Sequence, residues 1–171
     1  MSVLEILKEP DPILRKKSVE VSKVDNDIRK LMDDMLDTMY QAPGIGLAAP
    51  QIGVLKKVIV IDLAKEDKPK KPLYIVNPKI IWKSDELSSR EEGCLSIPGH
   101  FAEVIRPSKC KLQYLDYNGK QQEIEADDLL STCIQHEVDH CDGVLFIDYL
   151  SKLKKDMIIK KLIKAKKEQQ I

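Results

Sequence analysis

Three side chains in Gln135-His136-Glu137-Val138-Asp139-His140 have the types and spacing for metal chemistry. His136 and His140 lie four residues apart, so on a helix both imidazoles leave one face and can grip a single ion. Glu137 follows the first of them directly and can reach a metal-bound water without binding the metal itself. Patterns this short also arise by chance, and two histidines on a solvated helix are the plain alternative. The flanks favour an interior helix. Leu129, Leu130, Cys133 and Ile134 precede the motif at helical spacing, Asp127 is placed to cap the start, and Gly143 to end it. A helix that buries two histidines and a glutamate needs a reason to bury them, and metal-assisted hydrolysis supplies one.

Two histidines leave a catalytic metal short of the usual three protein ligands. A second unusual stretch is Glu91-Glu92-Gly93-Cys94-Leu95-Ser96-Ile97-Pro98-Gly99. Gly93 permits unusual backbone angles, and Pro98-Gly99 marks a turn. Cys94, read as the apex of a loop, is either a thiolate turned toward a metal or a small core residue. A third stretch, Gly44-Ile45-Gly46-Leu47-Ala48-Ala49-Pro50-Gln51, has the small residues that let another chain approach its backbone. It is not a phosphate loop, because neither a Lys-Ser/Thr pair nor a Gly-x-Gly-x-x-Gly pattern follows. Gln51 alone reads as a surface amide.

The elements that must position these groups are partly readable. Ile28, Leu31, Met32, Met35, Leu36 and Met39 recur at three- and four-residue steps, which predicts an amphipathic helix over residues 25–41, ended by Pro43 and Gly44. The methionines read as core filler. Residues 57–63 and 73–82 are strand-like, with Pro78 demanding an edge or a bulge, and 65–71 is a charged surface loop. Residues 101–106 form a short alternating strand. Strands at 109–117 and 120–126 flank Asn118-Gly119, a strong hairpin signal. Residues 144–149 read as extended, and Ser151 caps a last helix whose apolar stripe is Met157, Ile158, Leu162 and Ala165. The fold class is α+β, with mainly antiparallel β-sheets around a central metal-binding helix and an N-terminal and a C-terminal helix.

With 171 residues the chain fits one catalytic domain over residues 1–171. Formal net charge is zero, which argues against a general nucleic-acid binder. Residues 151–171 nevertheless hold eight lysines against Asp156 and Glu168, a basic C-terminal helix on an acidic body. Neither a secretory signal nor a membrane-length apolar run stands out, so cytoplasmic residence is expected. The four cysteines, 94, 110, 133 and 141, form no Cys-x-x-Cys pair and are expected to be reduced.

Taken together and in this order, the three stretches resemble the signature motifs of the peptide deformylases: a glycine-rich segment ending Ala-Ala-x-Gln, then Glu-Gly-Cys-apolar-Ser, then Gln-His-Glu-x-Asp-His. The resemblance covers nearly the whole chain and is closest to the bacterial type with a C-terminal helix. It implies that Cys94, His136 and His140 ligate one divalent metal ion, ferrous iron in the cell, with zinc, nickel or cobalt able to substitute. Gln51 and the Leu95 N–H become oxyanion donors, and Glu137 the acid–base group. The substrate is the formyl-methionine end of a new polypeptide, and formate is released. Gly44, Ile45, Gly46, Gly93, Leu129 and Cys133 make up the substrate-binding set, with Gly44-Ile45-Gly46 able to pair with a peptide main chain. Asp139 and Glu92 are candidates to orient ligands or pair with Arg106. The basic helix is a candidate for docking to the ribosome through phosphate contacts. The chain departs from the family pattern at Cys141, where leucine is usual, at Phe101 and at Thr132.

Two rival readings remain at this level. A zincin-type metallopeptidase shares His-Glu-x-x-His and would take its third ligand downstream, from Asp142 or Asp148. A non-catalytic, ribosome-associated metal-binding module would keep the ligands but have no use for Glu137 or Gln51.

Overall fold

A computed structural model of the chain describes residues 2–169. The helices are α1 (Asn26–Gln41), α2 (Asp128–Cys141) and α3 (Lys152–Gln169). The strands are β1 (Gly46–Ala48), β2 (Val58–Ile61), β3 (Leu73–Lys83), β4 (Leu87–Cys94), β5 (Ile97–Pro107), β6 (Lys109–Leu115) and β7 (Gln121–Asp127). Five of them form an antiparallel sheet in the order β1-β2-β3-β6-β7, while β4 and β5 make a separate two-stranded ribbon.

α1 forms where its apolar spacing predicts. The Asp25 carboxylate caps it by accepting from the Ile28 N–H at 3.0 Å, and Met32, Met35 and Met39 are fully buried against one face of the sheet. α2 packs on the other face, where Cys133, Ile134 and Cys141 meet Ile59, Ile75 and Leu112. The start of α2 is where Asp127 predicts, although that side chain makes no capping bond. Its end is set by Gly143 at φ +77°, where an added Cβ would lie 2.4 Å from the Arg15 carbonyl oxygen. The bulge demanded by Pro78 lies between Val76 and Lys79. There Asn77 turns out of the strand, and its side chain pairs with both backbone groups of Val21, at 2.7 and 2.8 Å.

Several local expectations are corrected. The β6–β7 hairpin closes through residues 116–120, with the Asp116 carboxylate accepting from the Asn118 and Lys120 N–H groups, a longer loop than Asn-Gly alone suggests. Residues 144–149 are not extended: Phe146–Tyr149 is a 3-10 turn, because the Asp148 carboxylate accepts from the Leu145 N–H and curls the chain locally. The strand expected at 101–106 runs from Ile97 to Pro107, since β4 gives it a partner along its length. Ser151 does cap α3, accepting from the Lys154 N–H at 3.3 Å. The inward side of that helix, however, is Ile158, Ile159 and Leu162 packed on Leu14, Val104 and Phe146. Met157 and Ala165 are exposed. The last two residues of the expected 151–171 helix, Gln170 and Ile171, lie outside the described residues. Among those described, no helix is long and apolar enough to cross a membrane.

Candidate metal centre

The site forms where the tip of the β4–β5 ribbon, with Ser96 and Ile97 fully buried, meets the buried face of α2. β4 carries Cys94 at its last position, and the chain then reverses through Leu95-Ser96 so that Cys94 pairs with Ile97. The reversal is therefore at Leu95-Ser96, not at Pro98-Gly99, whose glycine sits inside β5 at φ +79°. One helical turn separates His136 and His140, and both rings are buried, their centroids 5.0 Å apart. The Cys94 Sγ lies 3.3 Å from His140 Nε2. One donor atom from each of Cys94, His136 and His140 lies within 4.8 Å of the others, and among the described residues this is the group so arranged.

His136 is aimed by a neighbour. His136 Nδ1–H donates to Glu92 Oε1 at 2.9 Å, which leaves Nε2 free to face the other two donors. Arg106 clamps the same carboxylate through Nε and Nη2, at 2.7 and 2.9 Å, and its Nη1 donates to Asp139 at 2.9 Å. The Tyr149 hydroxyl donates to Asp139 at 2.7 Å, while the Arg106 guanidinium lies over the Tyr149 ring. Glu92 and Arg106 are each 4 % exposed. Burial pushes the Glu92 carboxyl up, but hydrogen bonds from His136 and Arg106 and the arginine charge outweigh it and hold the group below its usual range. Glu92 and Asp139 both pair with Arg106, as expected, and Glu92 alone also contacts a histidine of the donor group. Tyr149 was not foreseen, because nothing in its sequence neighbourhood points toward α2.

Glu137 lies beside these donors and is 5 % exposed. Its Oε1 is buried and has no hydrogen-bond partner among protein groups. Burial raises its carboxyl to about 7, against the pull of the His136 charge. Gly46 makes room for it: an added Cβ would lie 2.6 Å from Glu137 Oε2. Gln51 is not a surface amide but 1 % exposed. It sits in the 3-10 turn Ala49–Ile52 directly after β1, so its side chain turns back across the strand. Its Oε1 accepts from the Ala48 N–H at 2.9 Å, and its Nε2 donates to Ser96 Oγ at 3.0 Å and toward Cys94 Sγ at 3.5 Å. Ser96 fixes the amide's orientation. Its signal was present in the Glu-Gly-Cys-apolar-Ser motif but was not read as a partner for Gln51.

A cleft of ≈ 990 Å³ opens over these groups, and Gly44, Ile45, Gly46, Gly93, Leu129 and Cys133 all line it. Gly93 owes its place to space rather than to unusual angles, because an added Cβ would lie 2.5 Å from the Phe101 ring. Leu129 is 41 % exposed at the mouth, whereas Cys133 is buried at the wall. Thr132 and Phe101 also face the cleft. Cys141 points into the core below α2, 1 % exposed, and burial pushes its thiol up to about 12. It is a packing residue.

The residues present suit a bound divalent ion. A soft sulfur and two imidazole nitrogens converge from two elements, and a buried carboxylate oxygen without a protein partner stands next to them. Such a centre at the floor of a peptide-sized cleft, on an α+β frame, defines a metal-dependent hydrolase. Comparison with known proteins narrows the class. The family model for polypeptide deformylase matches residues 3–156. A peptide deformylase of Pelagibacter ubique is 62% identical over 166 residues, covering 97% of this chain and 96% of that protein. One from Phenylobacterium zucineum is 57% identical, covering 98% and 99%. The crystal structure of peptide deformylase from Ehrlichia chaffeensis superimposes with a TM-score of 0.94 at 45% identity, covering 99% of this chain and 100% of that one. A second crystal structure from that organism, in complex with actinonin, gives 0.92 at 47% identity, with 96% and 98% covered. The chain belongs to the polypeptide deformylase family.

The rival readings lose their support here. Neither Asp142 nor Asp148 joins the donor group of the two histidines, and the Asp148 carboxylate is held by Arg15 and Lys155. A non-catalytic module has no use for the buried, partnerless Glu137 oxygen.

Proposed function

We propose that Cys94, His136 and His140 hold one divalent metal ion, ferrous iron in the cell, and that the remaining groups of the site remove the formyl group from the formyl-methionine end of new polypeptides, releasing formate. The observation that carries this reading is the convergence of the three donors within 4.8 Å beside the free Oε1 of Glu137. When bound, the ion supplies Lewis acidity, which makes water nucleophilic near neutral pH and polarises the formyl oxygen. Glu137, with its carboxyl raised to about 7, accepts the proton of the attacking water and returns it to the departing nitrogen. The Gln51 Nε2–H and Leu95 N–H donate to the oxygen on which negative charge develops, each worth about 3–4 kcal/mol in comparable sites. Gln51 arrives preorganised, its amide held by Ala48 and Ser96.

The substrate main chain lies along Gly44-Ile45-Gly46 as an added strand, which supports binding without regard to sequence. β1 is an end strand of its sheet, so this side is free to be paired. The methionine side chain lies against Ile45, Leu129 and Cys133. Action on nascent chains belongs in the cytosol, and the basic face of α3 docks there to the ribosome through its exposed lysines, in a salt-dependent way. The deciding assay is formate release from formyl-Met-Ala-Ser under anaerobic conditions, with metal content measured on the same sample. Fully metallated protein that releases no formate would overturn the reading.

A further inference from the structure

The two groups assigned to the oxyanion come from separate sheets. Gln51 follows β1 of the five-stranded sheet, and Leu95 stands at the tip of the β4–β5 ribbon. Their spacing must hold to a fraction of an ångström if both are to reach one oxygen. Besides the Gln51 side-chain contacts to Ser96 and Cys94, a backbone feature spans the two elements directly. The Leu7 N–H donates to the Gln51 carbonyl at 2.7 Å, and the Glu9 N–H donates to the Ser96 carbonyl at 2.9 Å. Residues two apart in extended chain present their N–H groups on one side, so a short segment is bonded to both donor-bearing turns at once.

That segment is itself fastened at both ends. Upstream, the Leu4 N–H donates to Thr38 Oγ1 of α1 at 2.8 Å. The Leu7 side chain packs into the cluster that contains Cys94. Downstream, the Glu9 carboxylate is 4 % exposed and paired with Arg15. Arg15 Nη1 donates to both oxygens of Asp148, at 2.8 and 2.7 Å, and Lys155 of α3 holds the same carboxylate at 2.8 Å. A buried carboxylate at the end of a backbone segment needs this partner to stay buried, so the pair fixes where the Glu9 backbone sits.

We infer that residues 7–9 act as a strap that sets the distance between the Gln51 amide and the Leu95 N–H, and that Glu9 and Arg15 are positioning residues for the deformylation step. This rests on the oxyanion roles proposed above. Arg15 is not among the cleft residues, and the Glu9 carboxylate, although Glu9 lies at the cleft wall, is turned to Arg15. Their effect falls on transition-state stabilisation rather than on substrate binding or metal retention.

The experiment compares Glu9→Ala, Glu9→Gln and Arg15→Lys with the parent enzyme and with Gln51→Ala, all metal-loaded and with metal content measured. Glu9→Ala is expected to lower kcat by roughly 10- to 100-fold, the scale of a small misplacement of catalytic groups, with KM and metal content unchanged. Glu9→Gln, which keeps a hydrogen bond to Arg15, and Arg15→Lys, which keeps a charge, are expected to fall between, and they serve if the alanine variant does not fold. Combined with Gln51→Ala, the Glu9 change should cost much less than it does alone, because its effect passes partly through that amide. Unchanged kcat in the Glu9 and Arg15 variants, or a loss that follows metal content or KM, would overturn the strap alone, provided Gln51→Ala is impaired. Full activity in Gln51→Ala would overturn the oxyanion assignment and the strap with it.

Discussion

α2 and α3 are helices of similar length built on opposite principles. α2 buries nine of its 14 residues, and six of those are the polar Ser131, Thr132, Gln135, His136, Glu137 and His140. α3 buries one of its 18, Leu162. In α2 most of the interior polar groups have protein partners: the Gln135 amide donates to the Pro107 carbonyl and to Ser131, and His136 donates to Glu92. Two buried atoms are left without one, the Oε1 of Glu137 and the Nδ1 of His140, the ring nitrogen other than the one beside Cys94. α3 is fastened by a few apolar side chains and presents lysines outward. Polar residues inside a helix are costly unless satisfied, so the first helix is specified by its partners and the second by its seam.

The contrast can be broken first at Glu137. Glu137→Ala should lower kcat by about 10³-fold, within the range for loss of a positioned acid–base group, while metal content stays at the parent level. A fall in bound metal in step with activity would make Glu137 a structural member of α2. Next is Glu92, the hub between Arg106 and His136. Glu92→Leu leaves the Arg106 guanidinium without its main partner, and unfolding free energy in urea should drop by about 3–5 kcal/mol. Milder Glu92→Gln should weaken metal affinity by about 10–100-fold in competition with a chelator.

The remaining tests sharpen the other side of the comparison. Leu162→Ala should cost about 2–4 kcal/mol by denaturant titration, because it empties the one fully packed position of α3. By contrast, Lys164→Glu with Lys167→Glu should change stability by no more than about 0.5 kcal/mol and leave turnover of a short formylated peptide unaltered. The same variant should bind ribosomes more weakly in sedimentation, most clearly at low salt. Equal ribosome affinity for parent and variant would remove the docking role of α3.

The same two regions show what could be read from sequence. α1 was legible because its methionines and leucines repeat at the helical period over four turns, and its cap is a single aspartate. The grouping of the two histidines and Glu137 on the inward face of α2 was legible because it depends on local spacing. The ribbon was not. β4 reads Leu-Ser-Ser-Arg-Glu-Glu-Gly-Cys and buries only Glu92, so it shows no apolar alternation. Its strand character comes from pairing with β5, and that pairing joins residues up to 20 apart, Leu87 with Pro107. Tyr149 likewise became part of the site only once the turn after α2 was set against Asp139, whereas Arg106 was already named as a partner for Glu92 and Asp139. Gln51 reads as a surface amide until Ser96, 45 positions away, is set against it.

The five-stranded sheet ends on one side at β1, which is three residues long, with Pro43 shortly before it and Pro50 shortly after. An open sheet border in water is a template for copies of the same chain to stack and grow into fibres. Here the template is too short to sustain such growth, and the prolines on either side lack the N–H that would extend it. The opposite border, β7, reads Gln-Gln-Glu-Ile-Glu-Ala-Asp, and its negative charges repel a second copy. Brevity on one side and charge on the other disfavour such stacking while leaving one border accessible.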